Sequence, residues 1–226
     1  MKYSITKRVM TKLGRCLPGG FFHHLNGVYN YLYIGWWFKN RGFEVPFEGE
    51  ARPDLYRHVA SQASEPLTYL EFGVFKGASM RIWSELWKHE ETRLFGFDSF
   101  EGLPEVWRGA ADLDTFDVKG SLPDIDDERL EFVKGWFDDT LPKFLETHRI
   151  EGNLVVHYDA DLYSSTKVIM ENMKQFFKPG TIFVFDELFD RDHELKALEE
   201  LIAEEDLKLE CIGATRGLTQ AAFRVL

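Results

Sequence analysis

Residues 67–104 read LTYLEFGVFKGASMRIWSELWKHEETRLFGFDSFEGLP, and this stretch decides the fold. Its first six residues form an apolar run rich in β-formers, which predicts a strand buried on both faces. Gly73 and Gly77 break that run, and apolar residues then recur at helical spacing over residues 78–89. Residues 94–98 predict a second strand that ends on Asp98. A glycine turn after one strand, with a carboxylate at the tip of the next about 20 residues on, is typical of half a nucleotide-binding α/β unit.

The glycine pattern selects among nucleotide-like ligands. The G-x-G-x-x-G pattern of dinucleotide folds is incomplete here, and no G-K-[ST] of a phosphate loop follows. Glu71 at the strand end would repel a phosphate, but it suits a ligand that carries an ammonium and a sulfonium group. We therefore expect S-adenosylmethionine, with its methionine half on the turn and its ribose hydroxyls donating to Asp98. The alternative is that the two glycines only turn the chain and that Asp98 only caps a loop.

Length and charge limit the classes of protein. A chain of 226 residues can form one sizeable domain with a small appendage. A net charge of −11 argues against nucleic acid as a general partner. Cys16 and Cys211 lie far apart in sequence, which predicts free thiols in a reducing compartment. With no apolar run of ~18 residues and no hydrophobic core of a signal peptide, we expect a cytoplasmic protein without a transmembrane segment.

The amino-terminal part differs from the rest. Residues 1–43 contain seven Lys and Arg and no Asp or Glu. Residues 1–20 predict a short basic helix that docks on the domain, on a second subunit or on an anionic membrane surface, with docking on protein preferred because no Trp or Phe lies on its apolar face. The aromatic stretch 21–43 predicts helical packing or lid material, as part of a homo-oligomer interface or of the acceptor pocket. We therefore divide the chain into a helical extension, residues 1–50, and a main domain, residues 51–226.

In the main domain, strands and helices alternate and two adjacent strands close the chain. This order predicts an α/β, doubly wound, mostly parallel seven-stranded sheet whose last strand is antiparallel. The connection Ser99–Glu128 is long and rich in Gly, Pro and Asp, so we expect a mobile lid there.

Acidic residues follow three of the predicted strands. Asp98 ends the second strand, Asp159 and Asp161 follow the fourth, and Asp186 and Glu187 follow the fifth. Because ligands bind at the carboxyl ends of parallel strands, Asp159, Asp186 and Glu187 are expected to converge. Clustered carboxylates repel one another unless a cation lies among them, and oxygen ligands suit Mg²⁺. A magnesium site and hydrated, helix-capping acids both remain open from spacing alone.

The segments LEFGVFKGASM, FGFDSFEGLPE, GWFDDTLP, HYDADLYSSTKV and KPGTIFVFDE resemble, in this order, the macrocin O-methyltransferase family. The resemblance covers residues ~66 to 226 and implies a Rossmann-like fold and Mg²⁺-assisted methyl transfer from S-adenosylmethionine to a hydroxyl, often on the sugar of a natural product. It implies the following roles: Glu71, Gly73 and Gly77 at the methionine end; Asp98 with Ser99 at the ribose; Trp136, Phe137 and Asp138 beside the adenine; and Asp159, Asp186 and Glu187 as metal ligands. The family usually has two aspartates where this chain has Asp186 and Glu187.

Several interpretations remain open. Either Asp159 or His193 can serve as the general base, although His193 can equally lie on a helix surface. His157, on a buried strand, is expected to be a core histidine. The small-molecule acceptor can be a sugar hydroxyl or a catechol-like phenol, since both present suitable oxygens. A different class of protein, a non-catalytic scaffold on the same fold, would use the basic aromatic extension to bind a partner.

Overall fold

The computed structural model describes residues 2–106 and 113–226, which form an eight-stranded sheet flanked by helices. The helices are α1 (Lys2–Gly14), α2 (Gly19–Arg41), α3 (Arg52–Gln62), α4 (Ala78–Leu86), α5 (Phe137–Thr147), α6 (Tyr163–Met173) and α7 (Glu194–Glu205). The strands are β1 (Glu48–Gly49), β2 (Leu67–Phe72), β3 (Arg93–Asp98), β4 (Leu130–Lys134), β5 (Asn153–Tyr158), β6 (Ile182–Phe185), β7 (Leu209–Thr215) and β8 (Ala221–Val225).

The sheet has the order β1-β7-β8-β6-β5-β2-β3-β4. All neighbours are parallel except β8, which runs antiparallel to both β6 and β7. The predicted mostly parallel, Rossmann-like sheet with an antiparallel last strand is therefore confirmed. From the central pair β2 and β5 the chain winds outward in opposite directions, so a crevice opens at their carboxyl ends.

Two details differ from the sequence prediction. The eighth strand, β1, pairs only Glu48 and Gly49 with β7, and two residues are too few to leave a periodic signal. The run EFVKGWF, residues 131–137, is rich in β-formers and predicts a strand along its whole length, but β4 ends at Lys134. The chain turns at Gly135, which has a φ of 139°, and Phe137 already begins α5. Trp136 and Phe137 are therefore placed beyond the strand end, in the crevice region.

The central strands of the sheet are buried on both faces. Every residue of β2 and β6 is buried, as expected for parallel strands covered by helices on both sides. One face packs against α5, α6, α7 and the second half of α2, and the other packs against α3 and α4. The sheet thus provides a rigid base for the loops at its carboxyl edge.

The amino-terminal helices make unequal contact with this core. Helix α2 buries Asn30, Ile34, Trp37 and Phe38, and both Trp37 and Phe38 contact the ring of Phe223 on β8. In α1, by contrast, every residue from position 5 to position 13 is exposed, so this helix does not dock on its own domain. Within the described residues, no helix is long and apolar enough to cross a membrane.

The connection after β3 is anchored where the structure describes it. Asp127 accepts hydrogen bonds from Ser84 on α4 (2.5 Å) and from the Arg129 guanidinium (2.6 and 2.9 Å). A Cβ atom on Gly77 would lie 2.8 Å from Pro123, so this part of the connection packs closely on the start of α4. The predicted lid also includes residues 107–112, which lie outside the described residues.

Candidate active site

A cavity of about 650 Å³ lies at the carboxyl ends of the strands. Its wall includes Gly73 after β2, Asp98 at the end of β3, Trp136 after β4, Asp159 after β5 and Glu187 after β6. This volume falls within the range of small-molecule sites, which is roughly 300–1,000 Å³. The cavity therefore coincides with the crevice that the topology creates.

The glycine turn after β2 forms one side of the cavity. Gly73 has a φ of 97° and donates its N–H to the carbonyl of Phe97 at 3.0 Å. A Cβ atom at this position would overlap the carbonyl oxygen of Asp159. Gly73 is thus required both by its left-handed backbone and by the close approach of the β5 end. The result is an open stretch of backbone that faces the cavity.

Asp98 organises this turn. Its Oδ2 accepts the N–H groups of Val74 (2.8 Å) and Phe75 (2.7 Å), and its Oδ1 accepts the N–H of Phe100 (2.6 Å). Phe75 and Phe100 have φ values of 51° and 58°, so the carboxylate stabilises two backbone positions that L-residues rarely adopt. A carboxylate can accept about four hydrogen bonds, which leaves capacity for one donor from the cavity.

The other residues predicted at the ribose and adenine lie on the same wall. Ser99 is buried, donates to the carbonyl of Gly102 at 2.9 Å and accepts the N–H of Glu101 at 3.1 Å, which shapes the loop after β3. Trp136, Phe137 and Asp138 line the cavity at the start of α5, with 36% of Trp136 exposed. The structure therefore brings Gly73, Asp98, Ser99 and the 136–138 segment together.

Two predicted cofactor residues lie elsewhere. Gly77 packs under Pro123 and Ile125 and is not part of the cavity wall. Glu71 is fully buried, accepts the hydroxyl of Ser79 at 2.6 Å and bonds to the hydroxyl of Tyr69. Its carboxylate therefore lies behind the glycine turn and has no direct contact with the cavity.

The three predicted metal acids occupy two different layers. Asp159 and Glu187 line the cavity, together with Asp161, whereas Asp186 is fully buried behind them. The Arg52 guanidinium lies 2.5 Å from Asp186 Oδ2 and 4.0 Å from Glu187 Oε1. Arg52 is also half exposed on the cavity wall, so it joins the buried acid to the open site.

Behind Arg52, a buried polar network connects β2, β5 and β6. Asp186 Oδ1 accepts the hydroxyl of Tyr56 at 3.1 Å and lies 3.8 Å from His157 Nε2. His157 Nδ1 lies 2.8 Å from the Tyr69 hydroxyl and 3.5 Å from Glu71 Oε2. Burial alone would lower the pKa of His157, but Asp186 and Glu71 outweigh it and raise that pKa to about 10. An imidazolium between two buried carboxylates compensates their charge.

Negative charge dominates the electrostatics of the cavity. Burial first, and then the charge of Asp186, raises the pKa of Asp159 well above its usual value. Glu194 is buried behind Glu187 and accepts its N–H at 3.0 Å; burial and then Asp159 likewise raise the pKa of Glu194. Six acids line the described part of the cavity against one cation, Arg52; they are Asp98, Asp138, Asp139, Asp159, Asp161 and Glu187. Such a site favours cationic or neutral ligands over phosphorylated ones.

The carboxylates of the cavity are chemically suitable ligands for a divalent ion, but they are not arranged as a metal site. Hard carboxylate oxygens from neighbouring strand ends suit Mg²⁺, and a cation would relieve the repulsion that raises the pKa of Asp159. Within residues 2–106 and 113–226, however, no group of three His, Cys, Asp or Glu is positioned to hold a metal. The guanidinium of Arg52 already lies against Asp186.

His193 is placed apart from the cavity wall. It stands immediately before α7, and its Nδ1 accepts the N–H of Tyr163, the first residue of α6, at 3.2 Å. Because that nitrogen accepts a hydrogen bond, the ring positions the start of α6. Tyr163 in turn donates its hydroxyl to Glu200 at 2.8 Å and packs on the domain. Asp159 therefore remains the candidate base that faces the cavity.

Sequence reasoning missed Arg52, Tyr56 and Glu194. Arg52 and Tyr56 belong to α3, far in sequence from the acids they contact, and no motif links them. Glu194 resembles any acidic residue in the first turn of a helix, and only its complete burial distinguishes it. Three-dimensional proximity was the only signal available for these residues.

Comparisons with known proteins agree with this geometry. A family model described as a methyltransferase domain matches residues 70–188, just over half of the chain. Among curated proteins, the chain is 31% identical over 146 residues to an 8-demethyl-8-(2,3-dimethoxy-alpha-L-rhamnosyl)-tetracenomycin-C 4'-O-methyltransferase of Streptomyces olivaceus, covering 54% of this chain and 53% of that protein. It is 26% identical over 171 residues to a demethyldecarbamoylnovobiocin O-methyltransferase of Streptomyces niveus, covering 67% of this chain and 64% of the relative.

Solved structures support the fold. The structure of the O-methyltransferase NovP matches with a TM-score of 0.60 and 24% identity, covering 76% of this chain and 78% of that one. The chain spans about half to two thirds of the length of the curated relatives it matches. On the match of the family model to residues 70–188, the chain belongs to the methyltransferase-domain family.

Proposed function

We propose that this protein is an S-adenosylmethionine-dependent O-methyltransferase that acts on a hydroxyl of a sugar or glycoside. One observation carries the proposal: the cavity of about 650 Å³ joins the glycine turn, the acid at the tip of β3 and the candidate base Asp159 in one continuous wall. A scaffold protein that had lost catalytic activity would not need to keep all three together. The resemblance to the macrocin O-methyltransferase family and the printed functions of the curated relatives point the same way.

The cofactor would lie along the Gly73 turn and β3. The bare backbone at Gly73 accommodates its methionine half, and the remaining acceptor position of Asp98 would receive a ribose hydroxyl. Trp136 and Phe137 would provide apolar surface for the adenine, and Asp138 would accept a hydrogen bond from its amino group. The negative field of the acids on the cavity wall favours the sulfonium and ammonium charges of this cofactor.

The reaction needs an acceptor oxygen in line with the methyl group. The oxygen forms a bond to the methyl carbon as the carbon–sulfur bond breaks, the bonding pair stays on sulfur, and the hydroxyl proton must leave. Asp159 faces the cavity and its raised pKa makes the ionised carboxylate a stronger proton acceptor, so we assign it as the base. Arg52 holds Asp186 and Glu187 in place beside it.

Magnesium belongs to the proposal as an assisting ion. Asp159 and Glu187 face the cavity and would hold it, and Asp186 would join them only after Arg52 releases it. When bound, such an ion lowers the pKa of a coordinated hydroxyl. Exhaustive chelation with EDTA should therefore reduce turnover, and added Mg²⁺ should restore it better than Ca²⁺, which prefers longer bonds and more ligands. Full turnover after chelation would remove magnesium from the proposal and leave Asp159 as base.

A sugar hydroxyl is favoured over a catechol-like phenol as acceptor. The curated relative of Streptomyces olivaceus methylates, by its name, a rhamnosyl group. The cavity supports a neutral acceptor, since six acids surround a single cation in its described part. Incubation with S-adenosylmethionine and a panel of glycosides and phenols, followed by mass spectrometry, tests this. Methyl gain on phenols alone would reject the sugar assignment, and gain on no acceptor despite cofactor binding would reject the hydroxyl-transfer activity.

The remaining parts of the proposal concern organisation. Residues 1–50 would serve as an extension, as lid or interface, to a methyltransferase domain of residues 51–226. Part of α2 packs in the core of the main domain, so the division at residue 50 separates two proposed roles and not two separately packed units. The two cysteines form no disulfide, in keeping with a cytoplasmic enzyme.

A further inference from the structure

The amino-terminal helices present a largely exposed apolar surface. On α2, Phe22, Leu25, Tyr29, Leu32 and Trp36 recur at alternating spacings of three and four residues, and 46–69% of each side chain is exposed. This spacing places them in one stripe along the helix. We call it the α2 stripe.

Most of the α2 stripe faces away from the domain, although the Arg191 guanidinium lies 4.6 Å from the ring of Tyr29. The residues that α2 buries against the core, Asn30, Ile34, Trp37 and Phe38, lie on the opposite side of the helix at 3.6 residues per turn. The stripe is therefore not a weakly packed part of the core. A contiguous exposed apolar surface of this kind marks an interaction site.

Helix α1 continues this surface and adds charge to it. Ile5, Val9 and Leu13 form an exposed apolar face, and the ring of Phe22 at the start of the α2 stripe approaches Gly14 at the end of α1. Lys7, Arg8 and Lys12 of α1, with Arg15 directly after the helix, place four cations next to this apolar face. A basic helix with one apolar face is typical of segments that lie in the plane of a membrane surface.

The charge distribution discriminates between two possible partners for this surface, a second copy of the chain and an anionic membrane. Residues 1–43 hold seven Lys and Arg and no acid, whereas the other 183 residues hold 20 Lys and Arg against 38 Asp and Glu. A symmetric dimer through this face would bring the cations of α1 in one copy close to those of the other, which is unfavourable. An anionic lipid surface neutralises the same cations, and the acidic remainder of the chain would be repelled from it, which fixes the orientation.

We propose that α1 and the α2 stripe form a docking surface for an anionic lipid bilayer, with both helices lying in its plane. The apolar faces enter the boundary between headgroups and acyl chains, and the cations of α1 contact the lipid phosphates. Apolar insertion and a polybasic patch together provide the two signals that stable attachment requires. The acidic cavity at the carboxyl edge of the sheet would remain in the aqueous phase.

Vesicle co-sedimentation of the full chain tests the proposal. The protein should partition onto phosphatidylcholine–phosphatidylglycerol vesicles and not onto phosphatidylcholine alone, and added salt should weaken this partition. A variant with Lys7→Gln, Arg8→Gln, Lys12→Gln and Arg15→Gln should partition about 600-fold less, since each of the four cations near the surface contributes about fivefold. The double variant Leu32→Gln and Trp36→Gln should also lose partition while it keeps every cation.

A matched control removes four exposed cations elsewhere, namely Lys143, Arg149, Lys178 and Lys208, each replaced by Gln. This variant should bind vesicles as the wild type does, and unchanged melting temperatures should verify that all variants fold. No partition of the wild type, equal partition onto both vesicle types, or equal loss in the control would overturn the proposal. So would a dimer, measured by light scattering, that dissociates on the Leu32→Gln and Trp36→Gln replacements, because a second copy would then cover the face.

Discussion

Replacing Asp98 by asparagine tests the assignment of this residue at two levels, the stability of the loop and the affinity for the cofactor. In the wild type, three backbone N–H groups donate to the carboxylate at 2.6–2.8 Å. An asparagine oxygen can keep the pair from Val74 and Phe75, but its amide NH₂ then faces the N–H of Phe100, donor against donor. We expect one bond to be lost and two to become neutral.

The magnitude follows from these three bonds. A hydrogen bond to a charged group contributes about 1.5–3 kcal/mol and a neutral one about 1 kcal/mol, so one lost bond and two weakened bonds together cost about 2.5–7 kcal/mol. Because Asp98 is partly exposed and water can replace the lost partner, the lower end, about 2.5 kcal/mol of unfolding free energy, is expected. Loss of the charged acceptor for a ribose hydroxyl should weaken S-adenosylmethionine binding by about 1.5–3 kcal/mol.

Chemical denaturation measures the first quantity and isothermal titration calorimetry measures the second. Asp139→Asn is the matched control, because it removes a charge from the same cavity wall at an exposed side chain with no proposed ribose contact. It should leave both quantities within about 0.5 kcal/mol of the wild type. Equal cofactor affinity in wild type and Asp98→Asn would refute the ribose assignment, whatever happens to stability.

Three further predictions follow from the site and its surroundings. Asp159→Asn should lower turnover by a factor of about 10² to 10⁴ while cofactor affinity, measured by calorimetry, stays near the wild-type value, because the proposed cofactor contacts lie on other strand ends; a parallel loss of affinity would contradict the assignment as base. Arg52→Gln should strengthen Mg²⁺ binding in calorimetry, since it frees Asp186, whereas Arg52→Lys should not; identical Mg²⁺ affinities would show that Arg52 does not compete with a metal. Asp127→Asn should lower the unfolding free energy by about 1–3 kcal/mol at neutral pH, because Arg129 and Ser84 hydrogen-bond to the carboxylate and hold its pKa below the usual range. A lowered pKa means that the folded state binds fewer protons, so this contribution is complete above the usual carboxyl pKa and declines as the pH falls below it; denaturation curves whose difference does not shrink in acid would contradict this.

Local patterns were sufficient to predict the sheet. The apolar run of β2 and the acid at the tip of β3 are contiguous signals, and both elements lie where the sequence placed them. The closing hairpin likewise followed from two short strands on either side of a turn. Of the partners expected for α1, its own domain is excluded, because residues 5–13 are exposed; amphipathic spacing shows that a face is apolar, but it does not show what covers that face.

The site was only partly predictable, because some of its residues are placed by the sheet topology and others only by tertiary packing. Residues that act through the backbone of a strand end, such as Gly73 and Asp98, are placed by the topology itself. Contacts between side chains of different helices and strands are not determined by the topology alone. Arg52 reaches Asp186 from a helix more than a hundred residues away in sequence, and Glu71 turned out to be engaged by Tyr69 and Ser79 beneath the cavity. Packing of the whole domain decides such contacts.

The most direct test of the central claim is a calorimetric titration of the folded protein with S-adenosylhomocysteine, the demethylated product, which binds without reacting. The cavity predicts one molecule bound per chain, a rise in melting temperature with ligand concentration, and a weaker affinity in Asp98→Asn but not in Asp139→Asn. A folded wild-type protein that shows neither heat of binding nor a change in melting temperature would contradict the account.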